Sequence, residues 1–132
     1  MTRLTVEELV TLNRRAVTET GGTHAVLKPN VLESAVLRPY QEVFGQTLYP
    51  MPWDKAGAVA ETIAHDHPFV DGNKRTATLA AMRVLEDNGW SLEMRSEECG
   101  EFVQIMVDLA AGESRWGRLS EWLRTHVEPL SK

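Results

Sequence analysis

His67-Pro68-Phe69-Val70-Asp71-Gly72-Asn73-Lys74-Arg75 is the stretch on which the reading of this chain turns. It stands between two segments of helical periodicity. Upstream, Ala56, Val59, Ala60 and Ile63 predict a helix from Trp53 to Ala64. Downstream, Ala77, Leu79, Ala80, Ala81, Met82, Val84 and Leu85 predict a helix from about Asn73 to Asn88, stopped by Gly89. Apolar on more than one face, that second helix belongs in the middle of a bundle. The nine residues therefore form a turn that opens a central buried helix.

Their chemistry can be read one group at a time. The first amides of a helix have no internal partner and lie at the positive end of its dipole, so they favour an anion. Gly72 removes a side chain from the approach, and Lys74 and Arg75 add positive charge beside those amides. Together they make a cradle for phosphate. His67 is of the type that takes a proton from a hydroxyl near neutral pH. Asp71 is a hard oxygen ligand of the kind Mg²⁺ takes alongside substrate phosphates. Asn73 can hold a phosphate or orient the loop. Phe69 should anchor the loop in the core, and Pro68 should hold His67 extended.

The rest of the chain reads as more helices. Thr5 and Glu8 have capping-box spacing ahead of an apolar pattern that ends at Gly21-Gly22. Asn30 and Glu33 repeat that spacing before a second helix ended by Pro39. Tyr40 to Pro52 should be a short helical turn followed by loop, and Trp90 to Met94 a very short extended segment. Ser96 is positioned to cap a helix to Ala111, and Ser120 a last one through His126. The expected fold class is all-α: a compact single-domain bundle of about six helices over residues 1–132.

Totals narrow the function. A chain of 132 residues with 42% apolar and 25% charged residues suits one folded domain rather than a disordered segment. A net charge of −5 argues against direct nucleic-acid binding by a broad basic surface. Cys99, the single cysteine, permits no internal disulfide and has no activating base beside it in sequence. Met1 to Thr5 does not open a signal peptide, and no apolar run reaches membrane-span length, so a cytoplasmic location is expected. His65-Asp66-His67 invites a metal-centre reading, but i and i+2 point apart on a helix and no third ligand has the spacing. Trp53, Trp90, Trp116 and Trp122 are expected as core or groove residues.

The nine-residue motif resembles the signature of the Fic/Doc superfamily, His-x-Phe-x-Asp/Glu-Gly/Ala-Asn-Gly/Lys-Arg. It is more similar to the Doc branch, which carries lysine where Lys74 stands; Fic proteins usually carry glycine there. The later arginine common in Fic motifs falls at Thr78 and is absent. The Leu4–Glu8, Val31–Ala35, Leu48–Pro50 and Asn88–Trp90 segments also look Doc-like. The resemblance implies a compact helical fold and the toxin of a type II toxin–antitoxin system. It implies a protein kinase that uses ATP and Mg²⁺ to phosphorylate a threonine of translation elongation factor EF-Tu and so arrests translation. On that resemblance His67 is the base and Asp71 the Mg²⁺ ligand. Gly72, Asn73, Lys74 and Arg75 hold phosphates. The implied partners are EF-Tu and a Phd-like antitoxin acting through its C-terminal segment. The inhibitory Ser/Thr-x-x-x-Glu-Gly/Asn pattern of many Fic proteins is not found here, which suits restraint by a separate chain. The alternatives are AMP transfer on the same fold, or a non-catalytic interaction protein.

Overall fold

The computed structural model describes residues 3–130; Met1, Thr2, Ser131 and Lys132, at the ends of the expected domain, lie outside the described residues. Six α-helices run in the order α1 (Val6–Thr20), α2 (Pro29–Leu37), α3 (Pro52–Asp66), α4 (Asn73–Asp87), α5 (Cys99–Ala111) and α6 (Trp116–Arg124). Two small antiparallel pairs accompany them: β1 (Glu42–Val43) with β2 (Gln46–Thr47), and β3 (Trp90–Leu92) with β4 (Val127–Pro129). The fold is mostly α, as the periodicity predicts. No helix among the described residues is long and apolar enough to cross a membrane.

A central helix is present, but α3 fills that place more fully than α4. Every residue of α3 from Ala56 to Ala64 is buried, and α2, α4, α5 and α6 all pack on it. Small side chains at Ala56, Gly57, Ala58, Ala60 and Ala64 let neighbours come close. A Cβ on Gly57 would stand 2.8 Å from the Trp116 carbonyl oxygen. Helix α4 keeps one side for this core, through Ala77, Ala80, Ala81, Val84 and Leu85, and another for α1. The spread of apolar residues over more than one face pointed to α4, whereas intimate packing favours the small side chains of α3.

Helix ends show where local sequence suffices. Thr5 and Glu8 form the expected capping box, and Gly21, with φ of 81°, ends α1. Three expected caps are absent. Helix α2 starts at Pro29, whose fixed φ suits a first helical position, leaving Asn30 inside the first turn. Ser96 lies in a 3-10 turn (Ser96–Glu98) preceding α5, and Glu98 reaches back to the Arg95 amide at 2.8 Å. Ser120 sits buried in mid-α6 and donates to Asp54. The cap of α6 is instead Glu61 of α3, which accepts from the Trp116 amide at 2.9 Å.

The segment expected as a helical turn and loop holds a 3-10 turn (Arg38–Tyr40) and then the β1–β2 hairpin. Its turn, Phe44-Gly45, has φ of 51° and 78°, the left-handed pair that a two-residue hairpin connection requires. The extended segment at Trp90 is as expected; its partner β4 begins just past His126, where the last helix was expected to end, and that helix itself stops at Arg124. The tryptophans pair with aromatics of the same domain: Trp53 with Trp90, Trp116 with Tyr49, and Trp122 with Phe102 and His126.

Glu61 ties the outer elements to α3. Its carboxylate meets Arg38 and Arg115, each at 2.7 Å, as well as the Trp116 amide. Burial alone would push this carboxyl up, but hydrogen bonds from Arg115 and Arg38 prevail and hold it below the usual carboxylate range. A depressed folded value contributes stability that is complete above the ordinary carboxylate range and is lost as pH falls through the folded value. Glu61→Gln is expected to cost about 3 kcal/mol at neutral pH. Its stability should also fall less steeply on acidification than that of the wild type. Urea denaturation at stepped pH measures both effects.

Candidate active site

The site begins where α3 stops. His67 is its C-terminal cap, with φ 51° and ψ 62°, and its amide still bonds the Ile63 carbonyl at 3.3 Å. The extended backbone expected at His67 is therefore not found. Pro68 disfavours the right-handed helical conformation in the residue before it, and the left-handed cap ends the helix while keeping that last amide satisfied. Histidine is among the residue types that tolerate this region.

The turn also fixes the imidazole. His67 Nδ1 lies 2.8 Å from the carbonyl oxygen of His65. A carbonyl oxygen can only accept, so Nδ1 carries the hydrogen and Nε2 keeps its lone pair on an exposed ring. A proton acceptor is thus presented to solvent by geometry alone. His65 points its own Nδ1 at Asp66, 3.2 Å away. No group of three or more His, Cys, Asp and Glu side chains among the described residues could hold a metal by itself.

Beyond His67 the chain crosses the segment after α1 almost as a strand. Pro68 accepts from the amides of Leu27 (2.7 Å) and Lys28 (3.1 Å), and the Val70 amide donates to Ala25 at 3.0 Å. Phe69 is buried in the core as expected, 1% exposed. Asn73 closes the loop over it. Its Oδ1 accepts from the Phe69 amide at 3.0 Å, and its Nδ2 donates to the Phe69 carbonyl at 2.9 Å. Of the two roles open to Asn73 in sequence, the geometry supports the orienting one.

Gly72 is required twice over. Its φ of 77° lies in the left-handed region, and a Cβ there would meet Val17 Cγ1 of α1 at 3.1 Å. The missing side chain thus makes room for α1 and not only for a ligand. Helix α4 starts immediately after it. Thr76 makes the first intrahelical bond, to the Gly72 carbonyl at 2.8 Å, so the amides of Asn73, Lys74 and Arg75 precede that ladder. Among the described residues no side chain caps this end, and its first turn holds no acid. Lys74 is exposed beside it. Arg75 pairs with Glu19 of α1 at 3.1 Å, both about half exposed. Both partners being exposed, that ion pair is weak and leaves Arg75 available to an anion.

Asp71 stands at the rim, exposed. One carboxylate oxygen accepts from the Thr23 amide at 2.8 Å, and its carbonyl accepts from Asn13 Nδ2 at 2.9 Å. A single hard carboxylate next to an anion-binding helix start fits Mg²⁺ that arrives with nucleotide phosphates. The motif forms an open platform rather than a pit. A cavity of about 380 Å³ between α3 and the α5–α6 connection is bounded by Arg38, Glu61, Asp66 and Arg115, with no motif residue in its wall.

A family model described as the Fic/DOC family matches residues 3–85, from the start of α1 almost to the end of α4. The chain belongs to the Fic/Doc family. A relative, "Toxin Doc" of Mycolicibacterium smegmatis, is 46% identical over 72 residues, which is 54% of this chain and 55% of that protein. The match thus spans about half the length of the relative.

Sequence reasoning missed Asn13, Thr23 and His24, which hold the motif from the α1 side. Asn13 did leave a trace. It interrupts the Leu9, Asn13, Ala16 stripe, all of which is buried in α1, and a polar residue on such a stripe needs partners.

If Asn73 holds the loop closed, Asn73→Ala orphans two backbone groups of a buried residue. A loss of about 2 kcal/mol in unfolding free energy is expected by urea titration in the absence of nucleotide. A residue that served only to hold phosphate would leave that value unchanged.

Proposed function

We propose that this chain is the toxin of a type II toxin–antitoxin system and a Mg·ATP-dependent protein kinase. The observation carrying the reading is the pinned imidazole of His67. Its Nδ1–H is spent on the His65 carbonyl, and its Nε2 is left open on the turn that leads into a helix start offering amides, Lys74 and Arg75 to phosphate.

In this reading the α4 amides, Lys74 and Arg75 hold the phosphates, and Asp71 holds the metal ion against them. Bound Mg·ATP supplies the phosphoryl group together with the cation that offsets its charge. His67 Nε2 takes the proton from a hydroxyl of the target protein. That oxygen bonds to the γ-phosphorus while the bond to the bridging oxygen breaks and ADP departs. Such transfer relies on positioning and electrostatics, which a rigid turn and a helix start supply.

Lys74 and Thr78 favour γ-phosphate transfer over AMP transfer. The Thr78 hydroxyl turns back on its own helix and donates to the Lys74 carbonyl at 3.1 Å, so no cation extends from this position to hold a nucleotide in the reverse sense. The name of the mycobacterial relative supports the toxin role. On the likeness of the motif we further propose a threonine of EF-Tu as the target in the cytoplasm, arrest of translation, and a Phd-like antitoxin that restrains the toxin through its C-terminal segment.

Purified EF-Tu incubated with this protein, Mg²⁺ and either γ-labelled or α-labelled ATP tests the reading. Label is expected to transfer from the γ position only; transfer from the α position alone overturns it in favour of AMP transfer. His67→Ala is expected to lower the rate by ~10²–10⁴, the usual loss on removing a general base.

A further inference from the structure

Asp71 sits on an exposed turn, where an aspartate ordinarily samples several staggered rotamers. Here it is held on three sides by groups outside the motif. Thr23 N–H donates to Oδ2 at 2.8 Å. Behind the side chain lies Gly22, where a Cβ would come within 3.0 Å of Asp71 Cβ and 3.3 Å of Oδ2. The peptide carbonyl of Asp71 is gripped by Asn13 Nδ2 at 2.9 Å.

Asn13 is itself locked. It is fully buried. Because the Asp71 carbonyl can only accept, the amide nitrogen must face it, and the same nitrogen reaches Thr76 Oγ1 at 3.0 Å. The remaining Oδ1 then accepts from His24 Nδ1 at 2.7 Å. Thr76 belongs to the first turn of α4. One buried amide therefore joins the carbonyl of the acidic residue to the helix start that carries the anion-binding amides. The adjacent residues Gly22, Thr23 and His24 complete the clamp from the turn after α1.

We infer that Asn13 and the Gly22–His24 turn are positioning residues that set the coupling between divalent cation and phosphate at this site. The inference rests on the phosphotransfer reading, in which Asp71 meets a cation carried by nucleotide phosphates. Its added content is that α1 and its following turn determine how strongly the cation improves phosphate binding. Asp71 Oδ2 is taken by the Thr23 amide, whereas Asp71 Oδ1 makes no hydrogen bond among the described residues and is the oxygen left to the cation. Moving the carboxylate by a few tenths of an ångström weakens the cation's contact but leaves the α4 amides where they are.

Calorimetric titration of the folded protein with ATP, once with Mg²⁺ and once with EDTA, reads this coupling as a ratio of affinities. Gly22→Ala introduces the clash without a left-handed backbone penalty, since only Gly21 of this pair has positive φ. It is expected to shrink the ratio about fivefold or more, the scale of a real coupling between sites, with metal-free affinity within about twofold. Asn13→Ala is expected to act in the same direction. Gly21→Ala, with open space around its Cβ, is expected to lower stability but to keep the ratio. A ratio unchanged in Gly22→Ala, while Asp71→Asn abolishes it, overturns the inference and spares the phosphotransfer reading. Failure of the wild type to bind ATP, or a ratio unaffected by Asp71→Asn, overturns that reading and the inference with it.

Discussion

Between Asp66 and Asn73 the backbone has left one helix and not yet entered the next, while its middle is buried in the core. The peptide groups of that passage have lost their helical partners, and an unpaired buried group costs about 1–3 kcal/mol. Two side-chain amides meet the demand. Asn73 takes both backbone groups of Phe69, and Asn13 takes the carbonyl of Asp71. The segment after α1 adds the bonds to Pro68 and Val70. Everything the site presents to solvent depends on this closure: the left-handed His67, the rim carboxylate, and the uncapped start of α4.

That dependence divides what the sequence displays from what it hides. Helices α1, α3 and α4 were legible because apolar spacing and Gly21 or Pro68 act locally. So was Phe69 as the anchor. Features resting on distant partners were not. Glu61 caps α6 from α3, so Ser120 looked like the cap although it lies in mid-helix. Strand β4 forms against β3 across the whole of α5 and α6, and nothing near Val127 announces it. At the site, the motif gave the residue types, but the partners that aim them, His65 O, Thr23 N and Asn13, come from backbone or from another helix. Lys74 and Arg75 were legible as charges; that Arg75 leans on Glu19 was not.

The same geometry makes the proposed phosphate binding compatible with an acidic domain. The net charge of −5 is a property of the whole surface, and screening confines exposed charges to about 10 Å. At the α4 start stand Lys74, Arg75 and three amides outside the helical ladder, set against Asp71 just before it and Glu19 on Arg75. What a phosphate would meet there is the direction of the donors rather than the total charge. The ion pairs around Glu61 stabilise the scaffold elsewhere, so the exposed members of the motif, His67, Asp71 and Lys74, need not carry the fold.

The central claim is that the α4 start, aimed by the closed turn, is where nucleotide phosphate binds. It is tested most directly by following backbone amide resonances of the ¹⁵N-labelled protein while Mg·ATP is added. The account predicts that Asn73, Lys74 and Arg75 show the largest shifts, with the His67 amide following. Shifts confined to the cavity beside Glu61 and Arg115, with those three amides unmoved, would contradict it.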